Sequence, residues 1–120
     1  MKKDKVVDKD AFRCAIYDIV KTIPEGRASS YGAIARAIGY PHLSRMVGRV
    51  MGECDSTKTG IPAHRVVNSQ GALSAKAAFG NAGEMPELLE AEGVAVVNDR
   101  IKNWKTIFWN PLDEMAKEIE

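Results

Sequence analysis

The chain has little that would bind a metal ion. Its 120 residues include two cysteines and two histidines, and these four residues do not follow the spacing of a metal site. They are Cys14, Cys54, His42 and His64. Without an oxidising compartment to indicate otherwise, reduced thiols are the default state. We therefore expect no bound zinc, no disulfide and no required cofactor.

Long apolar runs are also missing. The longest apolar stretches are only a few residues, whereas a membrane helix needs about 20. The first five residues, Met-Lys-Lys-Asp-Lys, lack the apolar segment of a signal peptide. A chain of this length forms one domain that buries about two-thirds of its unfolded surface. The sequence thus predicts a cytoplasmic monomer that does not contact membranes.

Acidic residues are absent from one continuous part of the chain. No acid lies between Gly26 and Gly52, although the net charge of the whole chain is only +1. The arginines of this stretch are Arg27, Arg36, Arg45 and Arg49. A basic surface on a nearly neutral domain is typical of proteins that bind duplex nucleic acid. A solvated helical face that happens to lack acids is the alternative.

The first half of the sequence has a helical pattern. Apolar residues recur at spacings of three and four over residues 11–23, which indicates one buried helical stripe. Ser30 suits the N-cap of a second helix over residues 31–38, which Gly39 would end. A turn and a third helix over residues 43–52 follow. This order predicts a helix-turn-helix arrangement.

The third predicted helix has two different faces. One side carries Leu43, Val47, Val50 and Met51, and the opposite side carries Arg45, Gly48, Arg49 and Gly52. Each glycine costs up to about 1 kcal/mol of helix stability, so a closely approaching partner is expected at this face. Two arginines there favour a polyanion, and packing against another helix is the alternative.

The second half has a mixed pattern. Residues 72–86 predict a mobile loop, and a short amphipathic helix follows from Pro86 to Gly93. Residues 94–97 predict a strand with a possible partner over residues 101–109. Trp104 and Trp109 are expected in the core.

These elements define the expected fold. It is mainly α with a small β element, a single winged helix-turn-helix-like DNA-binding domain over residues 11–111. A flexible leader at residues 1–10 and an acidic tail at residues 112–120 would flank it.

A pentapeptide carries the chemical information. Pro62-Ala63-His64-Arg65-Val66 alone is compatible with a loop entering a strand, with His64 hydrogen-bonded and Arg65 on the surface. Its order after Ser30-Tyr31 and Arg45-Met46-Val47-Gly48 and before Glu92-Gly93 resembles the DNA-binding domain of the O6-alkylguanine-DNA alkyltransferases over residues 12–97. In that family a cysteine stands where Ala63 stands here, and a methyl group is no nucleophile.

The resemblance implies a role for each matching residue. The recognition helix would enter the minor groove, with Arg45 filling the place of a flipped nucleotide and Tyr31 crowding the 3′ phosphate. The other implied DNA contacts are Ser30, Gly48, Arg49, Arg27 and Arg36. The implied lesion pocket comprises Tyr31, Met51, Pro62, Ala63, Val66 and Lys76.

Two further features distinguish this chain from active transferases. His64 and Glu92 occupy the positions that polarise the cysteine in active relatives, but without a cysteine they have no proton to move. We expect them to hold the pocket's shape by a hydrogen bond, and we do not expect Cys54 to replace the nucleophile. Residues 77–83 and the ending Phe108-Trp109-Asn110-Pro111 resemble the alkyltransferase-like group, as does a basic residue at Lys76.

The resemblance therefore implies a non-enzymatic sensor. Such a protein would bind O6-alkylguanine in duplex DNA by nucleotide flipping and mark it for nucleotide-excision repair proteins. An alkyltransferase inactivated by a cysteine-to-alanine change is one alternative. A helix-turn-helix transcription regulator is the other.

Overall fold

Three helices form the first half of the protein. The computed structural model describes residues 9–53, 59–73 and 84–113. Helix α1 spans Lys9–Val20, α2 spans Tyr31–Ala37 and α3 spans Ser44–Glu53, with a single 3-10 turn at Pro41–Leu43 before α3. The Ser30 hydroxyl accepts a hydrogen bond from the Ala33 amide at 3.1 Å, as an N-cap does. The predicted helix-turn-helix is confirmed.

Helix α1 differs from its predicted bounds at both ends. It begins at Lys9, so residues 9 and 10, which the sequence assigns to the leader, are helical; the rest of the leader lies outside the described residues. It ends at Val20 rather than at residue 23. The amides of Thr22 and Ile23 bond to carbonyls three residues back, because Pro24 disfavours helical geometry in the residue before it.

A parallel pair of short strands connects the two halves. Strand β1, Ser29–Ser30, pairs with β2, Val66–Val67, and β2 directly follows a 3-10 turn at Ala63–Arg65. The predicted small β element is present, but the sequence did not indicate this pairing because it joins segments distant along the chain. Neighbouring residues of a strand point to opposite faces, so Val66 and Val67 enter two different cores.

The rest of the described chain is built from short elements. Helix α4 spans Glu84–Ala91, the hairpin strands β3 and β4 are Val96–Val97 and Arg100–Ile101, and helix α5 spans Trp104–Ile107. The prediction of a strand over residues 101–109 is therefore wrong beyond Ile101. Trp104 and Ile107 are three residues apart, which suits a helical turn, and both pack against the same core.

Helix α4 also starts earlier than predicted. It begins at Glu84, so the end of the predicted loop over residues 72–86 is helical, and residues 74–83 lie outside the described ranges. Pro86 fits because the first helical amides have no intrahelical partner. Met85 and Leu89 are buried, whereas Leu88 is exposed, since the spacing of four selects the buried face.

The described residues form two apolar cores. The helical core is formed mainly by the first three helices: Phe12, Ile16, Val20, Ile23, Ile34, Ala35, Val47, Met51, Ile61, Ala63, Val66 and Trp109. The hairpin core lies beneath the later elements: Ala28, Val67, Leu73, Met85, Leu89, Val94 and Ile101. Trp109 is buried as expected, whereas Trp104 is only half-buried, with its indole N–H donating to the Ser69 carbonyl.

Candidate nucleic-acid interface

Helix α3 has an apolar face and a charged face, as its sequence predicts. Val47 and Met51 are buried in the helical core, and Leu43, Met46 and Val50 pack partly against it. Arg45 and Arg49 are exposed. Residues four apart lie on one face of a helix, so the two guanidinium groups extend from the same side of α3 into solvent.

Gly48 lies on the side of α3 that packs against α2. A Cβ atom at Gly48 would lie 3.6 Å from the Tyr31 ring, so the glycine faces α2 and the phenol rather than a bare surface. At this distance a methyl group would make an ordinary van der Waals contact, so the packing against Tyr31 does not itself require a glycine. The exposed side of α3 carries Arg45, Arg49 and, at the C-terminal end of the helix, Glu53.

The remaining arginines of the acid-free stretch differ from one another. Arg36 is exposed on α2. Arg27 donates from Nε to the Ile107 carbonyl at 2.9 Å and from a terminal nitrogen to the Phe108 carbonyl at 2.6 Å. The sequence missed this role, in which Arg27 attaches the segment after α5 to the start of β1. Its guanidinium is therefore hydrogen-bonded to the protein's own backbone.

The residues implied for the lesion pocket lie close together where they are described. Met51, Ala63 and Val66 are all buried in the helical core, and Pro62 is half-buried beside them in sequence. Ser30 is 3% exposed and is engaged in capping α2. Lys76 lies outside the described residues. Ala63 thus belongs to the same buried cluster as Met51 and Val66.

A network of hydrogen bonds surrounds Glu92. His64 Nε2 lies 2.7 Å from Glu92 Oε2, which is the contact expected between these two residues. The backbone amide of Gly26 donates to Glu92 Oε1 at 3.2 Å. Both side chains of the pair are about one-tenth exposed.

Arg65 is the residue that the sequence interpretation missed. Its Nε lies 3.0 and 3.1 Å from the two Glu92 oxygens, and a terminal nitrogen lies 2.7 Å from Oε2. Its other terminal nitrogen donates to the Ile23 carbonyl at 2.8 Å. The surface position considered for Arg65 is therefore wrong. A buried glutamate needs a cation, and that requirement could have singled out the arginine beside His64.

These contacts determine the charge of the carboxyl group. Burial raises the pKa of Glu92, but hydrogen bonds from Arg65, His64 and the Gly26 amide lower it more, and the net pKa is about 2. Glu92 is thus a carboxylate at neutral pH and only accepts hydrogen bonds. His64 must then donate from Nε2 to this carboxylate.

Within the described residues the structure offers neither a metal site nor a membrane span. No group of three or more His, Cys, Asp or Glu side chains in residues 9–53, 59–73 and 84–113 is placed to hold a metal ion. No helix there is long and apolar enough to cross a membrane.

The comparison with known families agrees with this geometry. A model of the DNA-binding domain of 6-O-methylguanine DNA methyltransferase matches residues 11–94. This range contains the helix-turn-helix, the turn at Ala63–Arg65 and Glu92. The chain belongs to this family of DNA-binding domains.

Within the family, the resemblance is to the alkyltransferase-like proteins. Alkyltransferase-like protein 1 of Schizosaccharomyces pombe is 35% identical over 106 residues, covering 85% of this chain and 97% of the relative. The Escherichia coli DNA base-flipping protein is 32% identical over 108 residues, covering 90% and 81% respectively. A crystal structure of S. pombe Atl1 with damaged DNA containing O6-carboxymethylguanine has a TM-score of 0.74 and 37% identity, covering 86% of this chain and 98% of that one.

The match to a transferase is shorter. The crystal structure of Mycobacterium tuberculosis O6-methylguanine methyltransferase has a TM-score of 0.56 and covers 68% of this chain but 47% of its own. The chain thus matches the whole length of the alkyltransferase-like protein and about half of this transferase.

Proposed function

We propose that this protein binds O6-alkylguanine in duplex DNA, rotates the damaged nucleotide out of the helix and leaves the alkyl group in place. The observation that carries this proposal is Ala63. It lies in the helical core and begins the turn that holds His64 and Arg65 against Glu92. His64, Arg65 and Glu92 are held together beside Ala63, whereas the sulfur atom that active relatives carry at this position is missing.

The chemistry of these side chains supports binding without transfer. Removal of an alkyl group by displacement needs a thiolate or a comparable nucleophile. The Glu92 oxygens are occupied by Arg65, His64 and the Gly26 amide, and Ala63 offers only a methyl group. A base held in this site would contact a pocket of fitting shape and hydrogen-bonding groups. It would find no side chain able to accept the alkyl group.

The proposed DNA contacts come from α2 and α3. Arg36, Arg45 and Arg49 are exposed and make no ion pair within the described part of the chain. Arg45 would replace the flipped nucleotide in the base stack, and Arg49 and Arg36 would contact phosphates. Tyr31 lies between these helices against Gly48, a position suited to the backbone beside the flipped nucleotide. We leave Arg27 out of the contacts because its guanidinium binds carbonyl groups.

Nucleotide flipping suits this target. The O6 substituent lies inside the duplex, and a base with weakened pairing leaves the stack at a lower cost, which amounts to a few kcal/mol. Because the alkyl group stays on the base, repair must be completed by other proteins. We propose that the bound complex marks the lesion for nucleotide-excision repair and that one protein molecule binds each lesion.

One binding experiment tests the core of the proposal. Two duplexes of one sequence, with and without a single O6-methylguanine, are titrated by fluorescence anisotropy. Tighter binding to the modified duplex supports a lesion sensor. Equal affinity for both duplexes, with a preference among unmodified sequences, would instead support a transcription regulator.

A second experiment concerns the missing nucleophile. The wild-type protein and the Ala63→Cys variant are incubated with methylated duplex, and methyl transfer to protein is measured by mass spectrometry. We expect none in the wild type. Transfer by the wild-type chain would overturn the non-enzymatic assignment, whereas efficient transfer by the variant alone would favour an inactivated transferase.

A further inference from the structure

The carboxylate of Glu92 is shared among three parts of the chain. Its Oε1 accepts from Arg65 and from the Gly26 amide, and its Oε2 accepts from Arg65 and His64. An ionised carboxylate offers about four lone-pair sites, so these donors use its whole capacity. Glu92 has no position left for a further donor.

Arg65 contributes more of these bonds than any other side chain. Its fork covers both Glu92 oxygens, and its remaining terminal nitrogen reaches the Ile23 carbonyl at 2.8 Å. The side chain is 17% exposed, and that of Glu92 is 10% exposed. One guanidinium thus joins the turn after α1, the turn at Ala63–Arg65 and the loop between α4 and β3.

The segments joined in this way lead to the proposed binding groups. Ala63 is two residues before Arg65 in the same 3-10 turn, and Tyr31 starts α2 five residues after Gly26. The position of the pocket floor relative to the DNA-facing helices therefore depends on how firmly these turns are held together. Displacements of about 1 Å are enough to impair a binding site.

We propose that Arg65 is a positioning residue for lesion recognition: it fixes Glu92, and through Glu92 the orientation and tautomer of His64 behind Ala63. This inference rests on the proposed function and adds a residue to it. A lysine cannot make the same set of hydrogen bonds, because an ammonium group is a point charge and not a planar fork. Loss of Arg65 also leaves a buried carboxylate without its cation.

The experiment compares Arg65 with a matched arginine. Arg27 is also half-buried and donates two hydrogen bonds to backbone carbonyls, where Arg65 donates one, but it does not contact Glu92. Arg65→Gln, Arg65→Lys and Arg27→Gln are compared with wild type in their affinity for the alkylated and unmodified duplexes. Nitrogen-15 shifts of His64 report its tautomer in the same proteins, and urea unfolding reports stability.

We expect both glutamine variants to lose stability, but only Arg65→Gln to lose recognition. Its ratio of alkylated to unmodified affinity should fall about tenfold, the lower end of the loss known for residues that orient the ligands of metal sites. Its His64 should no longer hold the single tautomer protonated at Nε2. Arg65→Lys should keep part of the ratio, and Arg27→Gln should leave both the ratio and His64 as in wild type.

Two results would overturn the inference. One is a folded Arg65→Gln or Arg65→Lys protein with the wild-type affinity ratio. The other is an unchanged His64 tautomer in these variants, which the spectra show whether or not the protein prefers alkylated DNA. A wild-type protein without any such preference would overturn the proposed function instead. The two failures are therefore distinguishable.

Discussion

The helical core and the hairpin core are assembled in different ways. The helical core draws most of its side chains from α1, α2 and α3, where apolar residues recur at helical spacing. The hairpin core collects single residues from many short segments, among them Ala28, Leu73, Leu89 and Ile101. The first core presents exposed arginines on its outer helices, whereas the second lies beneath the elements that flank Glu92. The proposed recognition surface thus belongs to the helical half, whereas Glu92, which supports the proposed pocket, comes from the hairpin half.

The proposed pocket lies where these halves meet. Val66 enters the helical core and Val67 the hairpin core, and the turn at Ala63–Arg65 immediately precedes them. Ala63 itself belongs to the helical core, while Glu92 is supplied by the loop after α4. A site at such a boundary needs both cores to form, so damage to either half should reach it.

The largest effect on stability is expected at Trp109. This side chain is 8% exposed in the helical core although it follows the hairpin in sequence, and its amide bonds to the Ala28 carbonyl. Trp109→Ala should lower the free energy of unfolding by about 3–5 kcal/mol, measured by urea denaturation. Leu112→Ala is the control, since Leu112 is 38% exposed. Similar small losses in both variants would mean that the C-terminal segment does not connect the halves.

A second effect should appear on acidification. The pKa of Glu92 is about 2 in the folded protein, against an ordinary value of 4.5, and each pKa unit is worth about 1.4 kcal/mol. A depressed pKa stabilises the fold above the ordinary value, and this contribution is lost as pH falls towards the folded value. The stability difference between wild type and Glu92→Gln should therefore shrink by about 2 kcal/mol from pH 6 to pH 3.

Urea unfolding of the two proteins at each pH gives this difference directly. Other carboxyl groups titrate in both proteins and cancel. A difference that stays constant down to pH 3 would show that the ion pair with Arg65 does not hold the carboxylate ionised.

The accuracy of the predictions from sequence also differs between the helical half and the hairpin half. Spacing and caps identified α1, α2 and α3 to within about three residues, because a helix is specified by neighbours along the chain. The hairpin half was predicted less well: α5 was taken for a strand, and the pairing of β1 with β2 was missed. Such contacts depend on residues far apart in sequence. The His64–Glu92 contact came from family resemblance, whereas Arg65 and Arg27 needed the fold.

The helical half should supply lesion recognition through Arg45 alone among its exposed arginines. Arg45→Ala should lower the preference for alkylated DNA by about tenfold or more, since an unfilled base stack makes flipping costlier. Arg49→Ala should weaken binding to both duplexes by one factor, because phosphate contacts carry no information about the base. Anisotropy titrations with both duplexes measure the two ratios. Equal losses of preference would refute the assignment of Arg45.

The basic surface should also determine the salt dependence. With Arg36 and Arg49 at phosphates, the logarithm of affinity should fall with the logarithm of salt concentration at a slope of about −2. Arg36→Ala should reduce this slope by about 0.9 for both duplexes. Lys105→Ala removes an exposed cation from the hairpin half and should leave the slope unchanged. Equal changes in the two variants would place the duplex across both halves.

The smallest effect on stability is expected at the two adjacent serines of β1, the strand between the halves. The Ser30 hydroxyl caps α2 through the Ala33 amide, so Ser30→Ala should cost about 1 kcal/mol of stability. The Ser29 hydroxyl is buried and has no hydrogen-bond partner in the part of the chain that the structure describes. Removing an unsatisfied buried hydroxyl relieves its desolvation cost, so Ser29→Ala should be neutral or slightly stabilising. If urea unfolding instead gives equal losses, the Ser29 hydroxyl supports the junction of the two cores as firmly as the cap supports α2.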